Sequence, residues 1–389
     1  MATGFRFELL ARDAASGARR GRLRTPHGVI ETPAFMPVGT QATVKGLLPE
    51  AVAGAGFGII LGNTYHLALR PGPEVIAAHG GLHRFMGWEG AILTDSGGFQ
   101  VYSLAALRRL EPEGVTFRSH IDGSEHRFTP EGVIAIQEAL GSDIAMVLDV
   151  CPPSTAARPE LERAVEWSTR WAQRALEARC REDQAVFGIV QGGLDLELRR
   201  QHAISIGDLP FEGIAIGGLS VGEPPDRMHP VAAATAGWLP PEKPRYLMGV
   251  GMPPDLPRAV LGGVDLFDCV FPTRAGRTGM LLTRQGRVII KHARYKDDLS
   301  PPDPLCDCPV CRRFTKAYLR HLFVAREILA SVLNTLHNLH YYAWLMGEVR
   351  RAIGDGTLEA LAREVESRYP RDEAGEPPGE LGEGPGTDG

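Results

Sequence analysis

Two aspartates stand where apolar strand formers give way to polar residues. In Val264–Arg277 (Val-Asp-Leu-Phe-Asp-Cys-Val-Phe-Pro-Thr-Arg-Ala-Gly-Arg), Asp268 sits beside Phe267 and close to Val270. A carboxylate among such residues is costly unless it is paired or used. The run reads as a buried strand ended by Pro272, and Thr273, Arg274 and Arg277 follow as a loop of donors suited to phosphate. The second, Asp95, opens Thr94-Asp95-Ser96-Gly97-Gly98-Phe99-Gln100. Its glycines let a backbone approach a flat ligand, and Phe99 can stack on one. Asp149 follows the apolar Ala145–Leu148, and Gln191 precedes Gly192-Gly193. A carboxylate, an amide and a backbone N–H converging between glycines match the donor–acceptor edge of a guanine-like base. Asp95 and Asp268 then suggest glycosidic chemistry, in which one carboxylate attacks the anomeric carbon and the other handles the proton of the base. Taken singly, an Asp after a strand is also a helix cap, and Gly-Gly is also a tight turn. Their recurrence at successive strand ends favours the functional reading.

A second constellation is Cys306-Asp307-Cys308-Pro309-Val310-Cys311, three thiolates within six residues. Zinc takes four such ligands in a tetrahedron, and His321, His337 or His340 could supply the fourth. A closed site of this kind has no place for substrate, so the zinc would be structural. Cys151, Cys180 and Cys269 are scattered. A large chain without an export signal argues for a metal over a disulfide framework.

The positioning elements follow from the pattern. From Pro49 onward, helical segments alternate with short apolar strands that end in polar or glycine residues: Gly56–Leu61, Ala91–Thr94, Ile144–Leu148, Ala185–Val190, Gly213–Ile216, Tyr246–Met248 and Leu266–Val270. Such alternation implies a parallel sheet buried on both faces. An eighth strand, placed near Leu319–Val324, would close a (β/α)₈ TIM barrel, with its functional groups at the C-terminal strand ends. A doubly wound open sheet is the alternative. Phe5–Leu10, Arg19–Arg24 and Val29–Glu31 read as strands capping one end of the core. Hairpins turn at Asp122-Gly123 and at Gln285-Gly286, and Arg312–Ile353 reads as a long helix broken at most once. Residues 1–369 form the catalytic domain, including a zinc-binding subdomain at about 295–345. Residues 370–389 form an acidic tail expected to be disordered.

The formal net charge of −5 requires any nucleic-acid surface to be local. One is visible between Arg274 and Lys296, which contains seven Lys/Arg and no acid. No N-terminal signal and no apolar run of about 18 residues is present, so a soluble cytoplasmic protein without a membrane partner is expected.

From about Phe5 to Tyr369 the chain resembles the bacterial queuine tRNA-ribosyltransferases, or tRNA-guanine transglycosylases. The motifs that carry the likeness are Thr94–Gln100, Val190-Gln191-Gly192-Gly193, Ile216-Gly217-Gly218-Leu219-Ser220-Val221-Gly222-Glu223, Phe267–Arg274 and the cysteine knuckle with His337-Asn338. The resemblance implies a (β/α)₈ barrel with a zinc-binding insertion near the C-terminus. It also implies replacement of guanine at the wobble position of GUN anticodons by a deazaguanine, through a covalent Asp-ribosyl tRNA intermediate in queuosine biosynthesis. Asp268 matches the nucleophile and Asp95 the proton acceptor. Asp95, Ser96, Gly97, Gly98, Phe99, Asp149, Gln191, Gly218 and Leu219 match the substrate-binding set; Phe99 is Tyr in some members. Gly249-Val250-Gly251-Met252-Pro253-Pro254-Asp255 and Thr273-Arg274-Ala275-Gly276-Arg277 match RNA-contacting segments. Cys306, Cys308, Cys311 and His337 match ligands of one structural zinc per subunit. The implied partners are the tRNA anticodon loop, a free deazaguanine base and a second copy of the chain. Val221 stands where eukaryotic members have Gly, and only about twenty residues follow Tyr369, without archaeal C-terminal domains. Both imply 7-aminomethyl-7-deazaguanine (preQ1) as the incoming base, with its cation met by the carbonyl of Leu219 and that peptide oriented by Glu223. A barrel glycoside hydrolase would leave the basic block and knuckle unexplained, and a non-catalytic RNA-binding protein would leave the three aspartates so.

Overall fold

Segments that are apolar on both faces are stable only in a sheet covered on both sides. The computed structural model describes residues 2–104 and 108–370. Its central sheet has eight parallel strands: Ala34–Pro37, Ile59–Gly62, Ala91–Thr94, Ile144–Met146, Ala185–Val190, Gly213–Ile216, Arg245–Leu247 and Leu266–Cys269. Each pairs with its neighbours in chain order, the first pairs with the eighth, and a parallel bridge between Val38 and Leu61 joins the first to the second. The ring is a TIM-like barrel with helices outside it. Among them, Pro130–Leu140 is capped by the Thr129 hydroxyl, which accepts from the Gly132 amide at 3.1 Å, and Leu196–Gly207 by Asp195, which accepts from the Leu198 amide at 3.0 Å.

The antiparallel sheet Arg6–Arg12, Arg19–Thr25 and Gly28–Thr32 lies across the N-terminal strand ends, as expected. Arg19 fixes it there. Its buried guanidinium grips Asp265, the residue before the eighth strand, with Nε–Oδ1 at 2.9 Å and Nη2–Oδ2 at 2.5 Å. Removing one partner of such a pair costs about 3–5 kcal/mol. The opposite, C-terminal end of the barrel is left open for chemistry.

Four expectations change. The strand that completes the ring of eight is Ala34–Pro37, the first in chain order, and not Leu319–Val324. The latter lies in helix Lys316–Val324, started by Thr315, whose hydroxyl accepts from the Tyr318 amide at 3.2 Å. Residues Phe271–Arg277 are helical, with Pro272 in the first turn where its missing N–H costs nothing, so the basic segment after Asp268 is a helix and not a loop. The second hairpin pairs Thr283 with Gly286, which makes Arg284-Gln285 its two-residue turn. The C-terminal helix is broken twice, into Pro309–Arg313, Lys316–Val324 and Ile328–Asp355; Arg326, at φ 60°, sits in the second break. The acidic tail, from residue 371, lies outside the described residues. Among the described residues no helix is long and apolar enough to cross a membrane.

Candidate active site and metal centre

Asp268 sits near the end of the eighth strand. Its Oδ1 accepts two hydrogen bonds, from the Tyr246 hydroxyl at 2.6 Å and the Gly249 amide at 2.7 Å. Both donors come from the seventh strand and the turn after it, so they fix Oδ1 and leave Oδ2 outside both bonds. Burial raises the Asp268 pKa, and the Tyr246 and Gly249 bonds oppose the rise. Burial and the neighbouring Asp268 charge push the Tyr246 phenol well above its usual range, so it stays a donor.

Asp95 follows the third strand and is 7% exposed. It accepts from the Asn63 side-chain amide and, at 2.9 Å, from the Thr64 backbone amide. Burial lifts its pKa to about 7 against those bonds, and the charge of Asp268 adds to the rise. The two carboxylates therefore sense each other across one site, and Asp95 is balanced between giving and taking a proton near neutral pH.

Asp149 follows the fourth strand and receives the Gln191 amide on Oδ2 at 2.6 Å and the Ser96 hydroxyl on Oδ1 at 3.3 Å. Burial lifts its pKa to about 6. Gln191 is fully buried, and its Oε1 has no partner among the described residues. A Cβ on Gly218, whose φ is +62°, would lie 2.2 Å from that oxygen, so only glycine fits beside Gln191. Gly98 is close-packed as well, since a Cβ there would stand 3.0 Å from the Asp149 carbonyl and the neighbouring backbone would have to shift by a few tenths of an ångström. Gly97 lies between Ser96 and this contact at φ +77°. Leu219 is buried, and Glu223 accepts from the amides of Ser220 and, at 3.1 Å, Val221, which orients the Leu219–Ser220 peptide. Phe99, 47% exposed, is the second residue of helix Gly98–Leu104. Asp95, Asp149, Gln191, Gly218 and Asp268 thus converge at the C-terminal strand ends.

The two segments matched to RNA contact are unevenly placed. Val250, Gly251, Pro253, Pro254, Asp255, Thr273, Ala275 and Gly276 are buried. Thr273 turns its hydroxyl to the Val270 carbonyl at 3.1 Å, and Asp255 accepts from His229 at 2.8 Å. Gly249 and Arg274 are exposed, and Met252 and Arg277 are half-buried. Arg274 and Arg277 are one turn apart on the helix that leaves Asp268. Part of the basic block serves packing instead: Arg284 stacks on Trp344 at 4.6 Å and Arg294 on Tyr295 at 4.8 Å.

Cys306, Cys308, Cys311 and His337 bring their ligand atoms within 4.8 Å of one another. His337 Nδ1 lies 3.3 Å from the Cys311 sulfur and 3.6 Å from that of Cys308. Its Nε2 donates to the Leu282 carbonyl at 3.0 Å, which leaves the Nδ1 lone pair facing the sulfurs. This donor set, with its tautomer already fixed, fits a tetrahedral metal ion. His321 and His340 are not in the cluster.

Four residues escaped the sequence. Asn63 stood in a polar strand end and could have been found there. Tyr246 looked like any aromatic in a buried strand. Arg199 and His202 sit in the helical segment after Gly192-Gly193, and no local signal marks either.

A family model described as queuine tRNA-ribosyltransferase matches residues 13–371. Proteins bearing that name are similar over almost the whole chain. That of Moorella thermoacetica is 56% identical over 363 residues, 93% of this chain and 97% of its own. That of Sorangium cellulosum is 56% identical over 361 residues, 92% and 91% respectively. That of Thioalkalivibrio sulfidiphilus is 53% identical over 363 residues, 93% and 97%.

Proposed function

The chain belongs to the queuine tRNA-ribosyltransferase family and is a tRNA-guanine transglycosylase, a pentosyltransferase acting in queuine modification of tRNA; from this we propose that it exchanges guanine at the anticodon wobble position of GUN tRNAs for preQ1 through an ester of Asp268. The observation that carries the proposal is the pairing of a pinned nucleophile, Asp268 on Tyr246 and Gly249, with Asp95 poised near pH 7 and raised in part by Asp268 itself.

The target nucleotide leaves the stack, which is cheap in a single-stranded loop. Its base lies between Phe99 and the glycine turns, with Asp149 accepting from its N–H edge and the Gly218 amide donating to its carbonyl. Oδ2 of Asp268 attacks C1′ of the ribose. The C1′–N bond breaks with its electron pair going to the base, and protonated Asp95 neutralises the departing nitrogen. The incoming base then gives its proton to the Asp95 carboxylate and attacks C1′. The ester breaks, and Asp268 recovers its charge. One N-glycoside replaces another, so no nucleotide or redox cofactor is required.

One zinc per subunit would be held by Cys306, Cys308, Cys311 and His337 and would supply structure only, because four protein ligands leave no open position. The region of about 295–345 forms the zinc subdomain and the contact for a homodimer working on cytoplasmic tRNA. The test is Asp268→Ala with bulk tRNA. Loss of both labelled-guanine exchange and the denaturant-resistant enzyme–RNA adduct, with an unchanged melting profile, is the expected result. A normal adduct would transfer the role elsewhere, Asp95 first.

A further inference from the structure

Two glycine turns, Gly192-Gly193 after the fifth strand and Gly217-Gly218 after the sixth, form one wall of the site, and they have no side chains with which to hold themselves. Both lean on a single residue. Arg199, on helix Leu196–Gly207, is 0% exposed. Its Nε donates to the Gly193 carbonyl at 2.5 Å, and its Nη2 to the carbonyls of Gly217 at 2.9 Å and Gly218 at 3.1 Å. Three residues on, buried His202 accepts the Gln191 backbone N–H on Nδ1 at 2.9 Å. Burial lowers the His202 pKa to about 4, so the ring is neutral and free to accept.

Burial lowers the Arg199 pKa only to about 10, so its charge persists. A buried cation bonded to carbonyls alone is costly, and simple helix packing would be served by an apolar side chain. The chief counter-charge it feels is Glu223. That acid holds the amides of Ser220 and Val221, while Arg199 holds the carbonyls of Gly217 and Gly218. The loop between is gripped from both ends by opposite charges, and it carries the Gly218 amide, which faces the Cys151 thiol, and the Leu219 carbonyl.

We propose that Arg199, assisted by His202, is a positioning residue for base exchange. It aligns the Gly218 amide and Leu219 carbonyl with the base and registers the Gln191 turn against them. This rests on the assignment of Asp149, Gln191 and Gly218 as base-reading groups.

Arg199→Lys keeps the charge, but one ammonium cannot span three carbonyls from two turns. Its KM for free guanine should rise about tenfold or more, the scale of lost charge-assisted bonds, while the KM for tRNA stays within about twofold. A merely structural role would lower the melting temperature without splitting the two KM values. An unchanged KM for guanine overturns the inference. Where Arg199→Lys does not fold, His202→Leu carries the test with the same split expected and the same overturning result. Gln191→Ala run in parallel separates the two levels. A raised KM there with none in Arg199→Lys removes the positioning role alone, and no rise in Gln191→Ala overturns the base-reading assignment and this inference with it.

Discussion

Asn338 donates to the carbonyl oxygen of Pro272 across 2.9 Å, tying the neighbour of His337 to the first turn of the helix that follows Asp268. The same side chain also holds the hairpin, donating to the Met280 carbonyl at 3.0 Å and accepting from the Leu282 amide at 2.9 Å. A Cβ on Gly276 would lie 2.7 Å from the Thr335 nitrogen, so the two helices are in backbone contact. The metal centre is therefore one helix away from Arg274 and Arg277, and its integrity reaches the candidate RNA surface.

Zinc loss should accordingly act twice. Cys306→Ser should lower metal content and the melting temperature, by about 5–10 °C given that structural zinc contributes directly to folding. It should also weaken tRNA binding, because the helix of Arg274 loses its support. Metal analysis of the purified parent that finds no bound zinc would defeat this prediction.

Asp95 predicts a pH dependence of definite sign. Its pKa rises from 3.8 to about 7 on folding, so between those values the folded state holds a proton that the unfolded state releases. Stability attributable to Asp95 is therefore lost as pH rises through that window, and above it the cost is constant. Asp95→Asn removes the cost and should raise the melting temperature above neutral pH by about 2–4 °C or more while abolishing exchange. In the parent, adduct formation without free base should slow as pH rises through the Asp95 transition near 7. Single-turnover gels of parent and Asp268→Asn, together with thermal melts of Asp95→Asn, check it. A melt of Asp95→Asn no higher than the parent at alkaline pH would contradict the assignment.

Arg274 and Arg277 lie on one side of a short helix. Alanine at either should weaken tRNA binding and reduce the salt slope by about one unit, since each phosphate contact releases about one counterion. Arg274, the more exposed, should show the clearer change. Binding titrations over a range of salt decide this, and an unchanged slope in both variants removes the helix from the interface.

Val221 is half-buried beside the oriented Leu219–Ser220 peptide. In the proposed reading a bulky seven-substituent would meet its two methyls, and overpacking costs roughly 1–3 kcal/mol. The parent should take 7-aminomethyl-7-deazaguanine in preference to queuine, and Val221→Gly should admit queuine about tenfold more readily. Competition between the two free bases for exchange into tRNA is the measurement; equal use by the parent enzyme would sink the idea.

The elements and chemical groups set by neighbouring residues were legible without coordinates. Ala91–Thr94, Ala185–Val190 and Gly213–Ile216 fall where their apolar runs place them, because four to six buried residues between polar ends can do little else. The cysteine spacing announced a metal knuckle for the same local reason. The tertiary structure decided what depended on distant partners. Ala34–Pro37 is too short and too close to proline to read as a central strand, and it is one only because the eighth strand pairs with it. Three histidines could complete the knuckle by spacing, and the packing of Ile328–Asp355 selects His337, as the family likeness implied. Tyr246 reaches Asp268 because two adjacent strands end together, and most of the presumed RNA segments are buried because their helices face the core. Arg199 is one of many arginines until the fold closes over it and leaves three carbonyls as its partners. Periodicity and spacing encode what a residue's near neighbours impose, whereas a contact between residues far apart in the chain exists only once the whole barrel has brought its strand ends together.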